Sequence, residues 1–157
     1  RPRLGPPRSN PRKTASDTKE EDEAMQQTYF MIKPEIVRAG THVGDILAIV
    51  NRAGFRITGL AMRQLDRPLV EDFYGEHRER GFYKDLCDYI CSGPVVTIRL
   101  ERENAVLALR ALIGATNPAD AAVGTVRSLY GESLQYNAVH ASANPEDAAR
   151  ELKLIFG

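Results

Sequence analysis

His140 stands in a short apolar segment, Asn137-Ala138-Val139-His140-Ala141-Ser142, where an imidazole could act as a nucleophile if one ring nitrogen were held and the other left free. Alone, a strand histidine is usually structural. The helical stretch that follows changes the weight of the reading, because Ala148, Glu151, Leu152 and Ile155 fall at i, i+3, i+4 and i+7 and so put Glu151 in an apolar stripe. An unpaired carboxylate there would be costly, and a hydrogen bond from one nitrogen of His140 would offset that cost while fixing the tautomer. Arg110 is a similar exception, lying between Val106 and Ile113 inside the apolar face of an earlier helix. Taken singly, a snorkelling arginine and a boundary glutamate explain these positions as well as a site does; jointly they are more suggestive.

The glycines exclude the usual phosphate loops, since neither GxxxxGK[ST] nor GxGxxG occurs in the chain. A phosphate would therefore be held by side chains. The candidates are Lys33 at the end of the first strand, Arg110, and Arg127 in Gly124-Thr125-Val126-Arg127. Guanidinium groups suit the task because their planar forks grip phosphate oxygens in pairs. No cluster of carboxylates forms a metal cage, so no residue is assigned as a metal ligand.

These residues need elements to hold them. Thr28 to Lys33 reads as a strand closed by Pro34, and Val43, Ile46, Leu47 and Val50 mark a helix ended by Gly54. Phe55 to Leu65 reads as a second strand, followed by a helical stripe of Val70, Phe73, Tyr74 and His77. Pro94 to Leu100 is a third strand, and Val106, Leu109 and Ile113 face one side of the helix before Gly114. A long loop through Thr116-Asn117-Pro118 leads to a fourth strand around Asn137 to Ser142, after which Asn144-Pro145 caps the last helix. The order predicts an α+β domain, a four-stranded βαββαβ sheet with helices on one face.

Composition narrows the class. Lys and Arg number 21 against 21 Asp and Glu, so the zero net charge gives no warrant for a dedicated nucleic-acid binder. Two cysteines, Cys87 and Cys91, lie in a helix-like segment without further ligands, which argues against zinc and for a reducing, cytoplasmic setting. No apolar run approaches the ~20 residues of a membrane span. Residues 1–24, with basic and proline-rich then acidic character, read as a disordered tail ahead of a folded domain at 25–157. Met25 is the expected start of that fold.

The segment Asn137 to Ser142 resembles the active-site signature of the nucleoside diphosphate kinases. Ile32-Lys33-Pro34, Ser92-Gly93-Pro94-Val95, Gly114-Ala115-Thr116-Asn117-Pro118-Ala119-Asp120 and Gly124-Thr125-Val126-Arg127 are similar to that family's other blocks, in the same order. The likeness runs from about Thr28 to Phe156. It implies a ferredoxin-like fold and exchange of the terminal phosphate between nucleoside tri- and diphosphates, such as ATP and GTP, by a ping-pong route through phospho-His140. Glu151 would hold the imidazole and Ser142 would support Glu151, while Lys33, Tyr74, Arg110, Thr116 and Arg127 would contact phosphates. Asn137 with Lys33 would reach the ribose, and Phe82 would stack on the base between Leu86 and Leu134. Mg²⁺ bound with the nucleotide and a homo-oligomer, tetramer or hexamer, are implied as well.

Four positions depart from the family's pattern: Ala143 where Asp usually follows the serine, Glu35-Ile36 where Asp-Gly follows Lys-Pro, and Gly81 where proline precedes the stacking phenylalanine. Ala143 is the best argument for a rival reading, a noncatalytic nucleotide-binding or scaffold domain on the same fold. An RNA-binding module of this fold would need basic and aromatic residues on its strands, and the third strand offers only Arg99.

Overall fold

Tyr29, Phe30, Met31 and Ile32 are consecutive and all buried, so their strand must be covered on both faces. The computed structural model describes residues 25–157, so the expected disordered tail at 1–24 lies outside the described residues. Its sheet comprises β1 (Met25–Ile32), β2 (Arg56–Arg63), β3 (Val95–Glu103) and β4 (Val139–Ala141) in the order β2-β3-β1-β4, each neighbouring pair antiparallel. The helices are α1 (Pro34–Ala39), α2 (Val43–Arg52), α3 (Arg67–Phe73), α4 (Tyr83–Ile90), α5 (Ala105–Ile113), α6 (Val126–Tyr130) and α7 (Pro145–Phe156). This is the ferredoxin-like βαββαβ arrangement, with α3 and α4 inserted between β2 and β3.

That insertion corrects one expectation. Helices lie on both faces of the sheet, not one. Phe30, Ile32, Val96, Ile98 and Leu100 pack under Ile46 and Val50 of α2 and Leu109 and Ile113 of α5. Tyr29, Met31 and Val95 pack instead against Val70 and Phe73 of α3, Cys87 and Ile90 of α4, and Ile155 of α7. Leu109 is fully buried, and its truncation to Ala would cost about 2–5 kcal/mol.

Local chemistry explains the element ends that frame the site. Asn144 Oδ1 accepts from the Asp147 backbone N–H at 2.7 Å, Pro145 opens α7, and Glu146 and Asp147 complement the positive end of its dipole. The helical stripe expected to reach His77 ends at Phe73, and a 3-10 turn at Gly75–His77 takes over. The five-residue α6 is too short to show periodicity and lay inside the expected loop. β4 is only Val139–Ala141, shorter than the expected 137–142, because the backbone turns sharply at Ala138. Among the described residues no helix is long and apolar enough to cross a membrane.

Candidate active site

β4 pairs with β1 so that His140 sits opposite Met31, which puts its side chain on the face covered by α7 while Val139 and Ala141 enter the opposite core. From α7, Glu151 meets it. His140 Nε2 lies 2.7 Å from Glu151 Oε1, and Ser142 Oγ donates to the same oxygen at 3.0 Å. Glu151 is only 3% exposed, so the imidazole N–H and the serine hydroxyl satisfy a carboxylate that water does not. With Nε2 donating, Nδ1 is the nitrogen that carries a free lone pair. Tyr29, Phe73 and Tyr74 fix the ring plane, their centroids 5.9, 5.2 and 6.4 Å from that of His140.

Lys33 follows β1 directly and is 8% exposed. Its Nζ donates to Asn137 Oδ1 at 2.7 Å, and Asn137 Nδ2 donates to the Thr116 carbonyl at 3.0 Å. Burial, reinforced by the positive charge of Arg127, brings the Lys33 ammonium down to about 8. Arg127 is itself buried, donating from Nη1 to the Gly114 carbonyl at 3.2 Å and from Nη2 to the Val139 carbonyl at 3.0 Å. Those partners are neutral, so its charge is left for an incoming anion, and burial with nearby Arg110 lowers its pKa to about 10. Gly114 makes this approach possible: its φ is 85°, and a Cβ there would sit 2.5 Å from Thr125 Oγ1.

A cavity of about 770 Å³ gathers these groups. His140, Glu151, Lys33, Asn137, Tyr74, Arg110, Thr116, Arg127, Phe82, Leu86 and Leu134 all line it, and Ser142 stands behind Glu151. Arg110, expected inside an apolar face, is exposed on the cavity wall while its neighbour Leu109 is buried. The Tyr74 hydroxyl is buried with no partner among the described residues, and burial holds its pKa well above the usual phenol range, so it remains a donor. Phe82 and Leu134 are 51% and 62% exposed and form an open apolar end.

Sequence reasoning missed Glu76, Asp85, Gln135 and Asp147, which also line the cavity. It placed His77 on a helical stripe, whereas the 3-10 turn brings its ring 5.3 Å from Phe82. Ala143 lines the cavity, as does the carboxylate-bearing Asp147 in the first turn of α7. Among the described residues no three His, Cys, Asp or Glu side chains converge to hold a metal ion.

Residues 26–157 match the family model described as nucleoside diphosphate kinase. The chain is 49% identical over 133 residues to the nucleoside diphosphate kinase of Deinococcus radiodurans, covering 85% of this chain and 96% of that one. It is 44% identical to the enzyme of the same name from Archaeoglobus fulgidus over 132 residues, 84% of this chain and 87% of the other. Its fold superposes on a crystal structure of the Aquifex aeolicus nucleoside diphosphate kinase with a TM-score of 0.83 at 36% identity, covering 85% of this chain and 96% of that one.

Proposed function

The chain belongs to the nucleoside diphosphate kinase family and transfers phosphate between nucleotides, and from that premise we propose which of its groups carry the phosphoryl group and how. The observation that supports the reading most is the hydrogen bond between His140 Nε2 and a buried Glu151, which in the neutral ring leaves the Nδ1 lone pair free. The Nδ1 lone pair attacks the terminal phosphorus of a nucleoside triphosphate. The bond from that phosphorus to the bridging oxygen breaks, and the electron pair leaves with the diphosphate. A second diphosphate then takes the group by the reverse step.

Phosphoryl transfer asks mainly for alignment and charge neutralisation. Arg127 and Lys33 act from fixed, buried positions, Arg110 closes from the exposed wall, and the Tyr74 hydroxyl and Thr116 donate to phosphate oxygens. Asn137, held by Lys33 and the Thr116 carbonyl, would meet the ribose. Phe82, Leu86 and Leu134 sandwich the base, a contact every base can make because each has a π-face. Glu151 stabilises the positive charge that develops on the imidazole, and Ser142 keeps that carboxylate in line.

The cationic phosphate end fits an ion that arrives on the nucleotide better than one caged by protein. Mg²⁺ bound this way would neutralise charge on the phosphate oxygens. The catalytic domain is residues 25–157. We infer a homo-oligomer, a tetramer or hexamer, in the cytoplasm. Among the described residues β2 is an edge strand, and its Leu60 and Met62, at 53% and 62% exposed, support self-association, while the two free cysteines support a reducing compartment. Initial rates with both substrates varied test the route: a phosphoenzyme path gives parallel double-reciprocal lines, and converging lines would contradict it.

A further inference from the structure

The backbone takes a strained path two residues before His140. Ala138 has φ 74°, and the Val139 N–H donates to the Asn137 carbonyl across it at 2.9 Å, a γ-turn of the hand that L-residues disfavour. One end of this turn carries Asn137 and the other enters the strand that presents His140. Something must hold it. The Lys33 backbone N–H donates to the Ala138 carbonyl at 2.9 Å, and Glu35 Oε1 accepts from the Ala138 N–H at 3.0 Å. The second Glu35 oxygen accepts from the hydroxyl of Tyr89, which is 5% exposed and comes from α4. Glu35 thus ties the first turn of α1 and the last turn of α4 to a single peptide of the turn.

We propose that Glu35 is a positioning residue for phosphoryl transfer: its carboxylate, braced by Tyr89, pins the strained turn at Ala138 and thereby sets the entry of the chain into the strand that carries His140. Burial raises the Glu35 pKa above the usual carboxylate range, opposed in part by hydrogen bonds from its own backbone N–H and from the Ala138 N–H, which favour the charged form. The pin does not touch the nucleotide. Its effect passes through the backbone, so it bears on the rate of the chemical step more than on the stacking end of the cavity.

The proposal rests on His140 as the phosphate carrier, and single-turnover labelling of the full chain by terminally labelled ATP tests both apart. Glu35→Gln keeps an oxygen for the Ala138 N–H and an amide to donate to the Tyr89 oxygen, so labelling should stay within about threefold of the wild type. Glu35→Ala removes the pin and should slow labelling by about tenfold or more while ATP affinity changes by less. Ala138→Gly in the Glu35→Ala background lets the turn form without strain and should bring the rate back to within about threefold. Should Glu35→Ala not fold, recovery of fold and labelling in that double variant supports the pin, and failure to recover overturns it. A folded Glu35→Ala that labels at the wild-type rate, or one that is slow and unrelieved by Ala138→Gly, also overturns it. Wild-type protein that takes no label would contradict the His140 reading instead.

Discussion

The two ends of the cavity are built on different terms. At the histidine end, His140, Glu151, Ser142, Lys33 and Asn137 lie on or beside β1, β4 and α7, largely buried, each held by a hydrogen bond of 2.7 to 3.0 Å. At the opposite end, Phe82, Leu86 and Leu134 sit on a helix start and a loop, with Phe82 and Leu134 more than half exposed. An in-line displacement loses rate steeply when the reacting atoms are misplaced by an ångström, whereas stacking tolerates a shift of the same size. On the proposed route, rigidity is concentrated where the bond would be exchanged, and the base would meet a surface that asks little of it.

Substitutions at the two ends should therefore differ in kind as well as size. The largest effect belongs to His140→Ala, which removes the proposed nucleophile and leaves the proposed clamp: steady-state transfer should fall by at least about a thousandfold, equivalent to about 4 kcal/mol, with fold and nucleotide binding retained. Activity within about tenfold of wild type would leave the histidine less than about 1.4 kcal/mol and end the proposed route. Glu151→Gln keeps shape and an acceptor but loses charge, so phosphorylation of the enzyme should slow by about tenfold to a hundredfold with little change in affinity. A collapse of affinity at an unchanged phosphorylation rate would move Glu151 to the binding site.

A smaller and graded effect follows from Lys33. Its ammonium is charged below about 8 and neutral above, so raising the pH through that value removes a phosphate contact and lowers kcat/KM. Lys33→Arg stays charged and should carry the alkaline limb well above that value. A wild-type profile flat to about pH 10 would show that the lysine charge is not used. Smallest is Phe82→Ala: half-exposed stacking is worth about 1 kcal/mol, so KM should rise about fivefold with kcat nearly constant. If kcat fell instead, the base end would be positioning the phosphates, and the contrast between the ends would be lost.

The histidine end was partly legible in the sequence because charge in an apolar stripe is a local anomaly. Glu151 announced itself by its spacing from Ala148, Leu152 and Ile155, and the motifs around Lys33, Arg127 and His140 carried the family resemblance that the comparisons bear out. What pattern could not carry was long-range or conformational. The bond from the Ala138 N–H to Glu35 spans 103 residues, and a positive φ at an alanine has no residue code as it would at glycine. His77 was misplaced because the stripe Val70, Phe73, Tyr74 and His77 fits a helix, yet Tyr74 ends the helix and the chain tightens into a 3-10 turn. The second helical layer was missed although four consecutive apolar residues in β1, Tyr29 to Ile32, signalled a strand covered on both faces.

On the proposed route the phosphoryl group passes through one nitrogen of one histidine, so the isomer of the phosphoenzyme is the sharpest test. After reaction with terminally labelled ATP, the protein should carry an acid-labile, base-stable phosphate that peptide mapping under alkaline conditions assigns to His140. Phosphorus and nitrogen NMR of the phosphoenzyme then distinguish the two ring positions. The hydrogen bond from Nε2 to Glu151 predicts the phosphate on Nδ1. Phosphate on Nε2, or on any residue other than His140, would contradict the account.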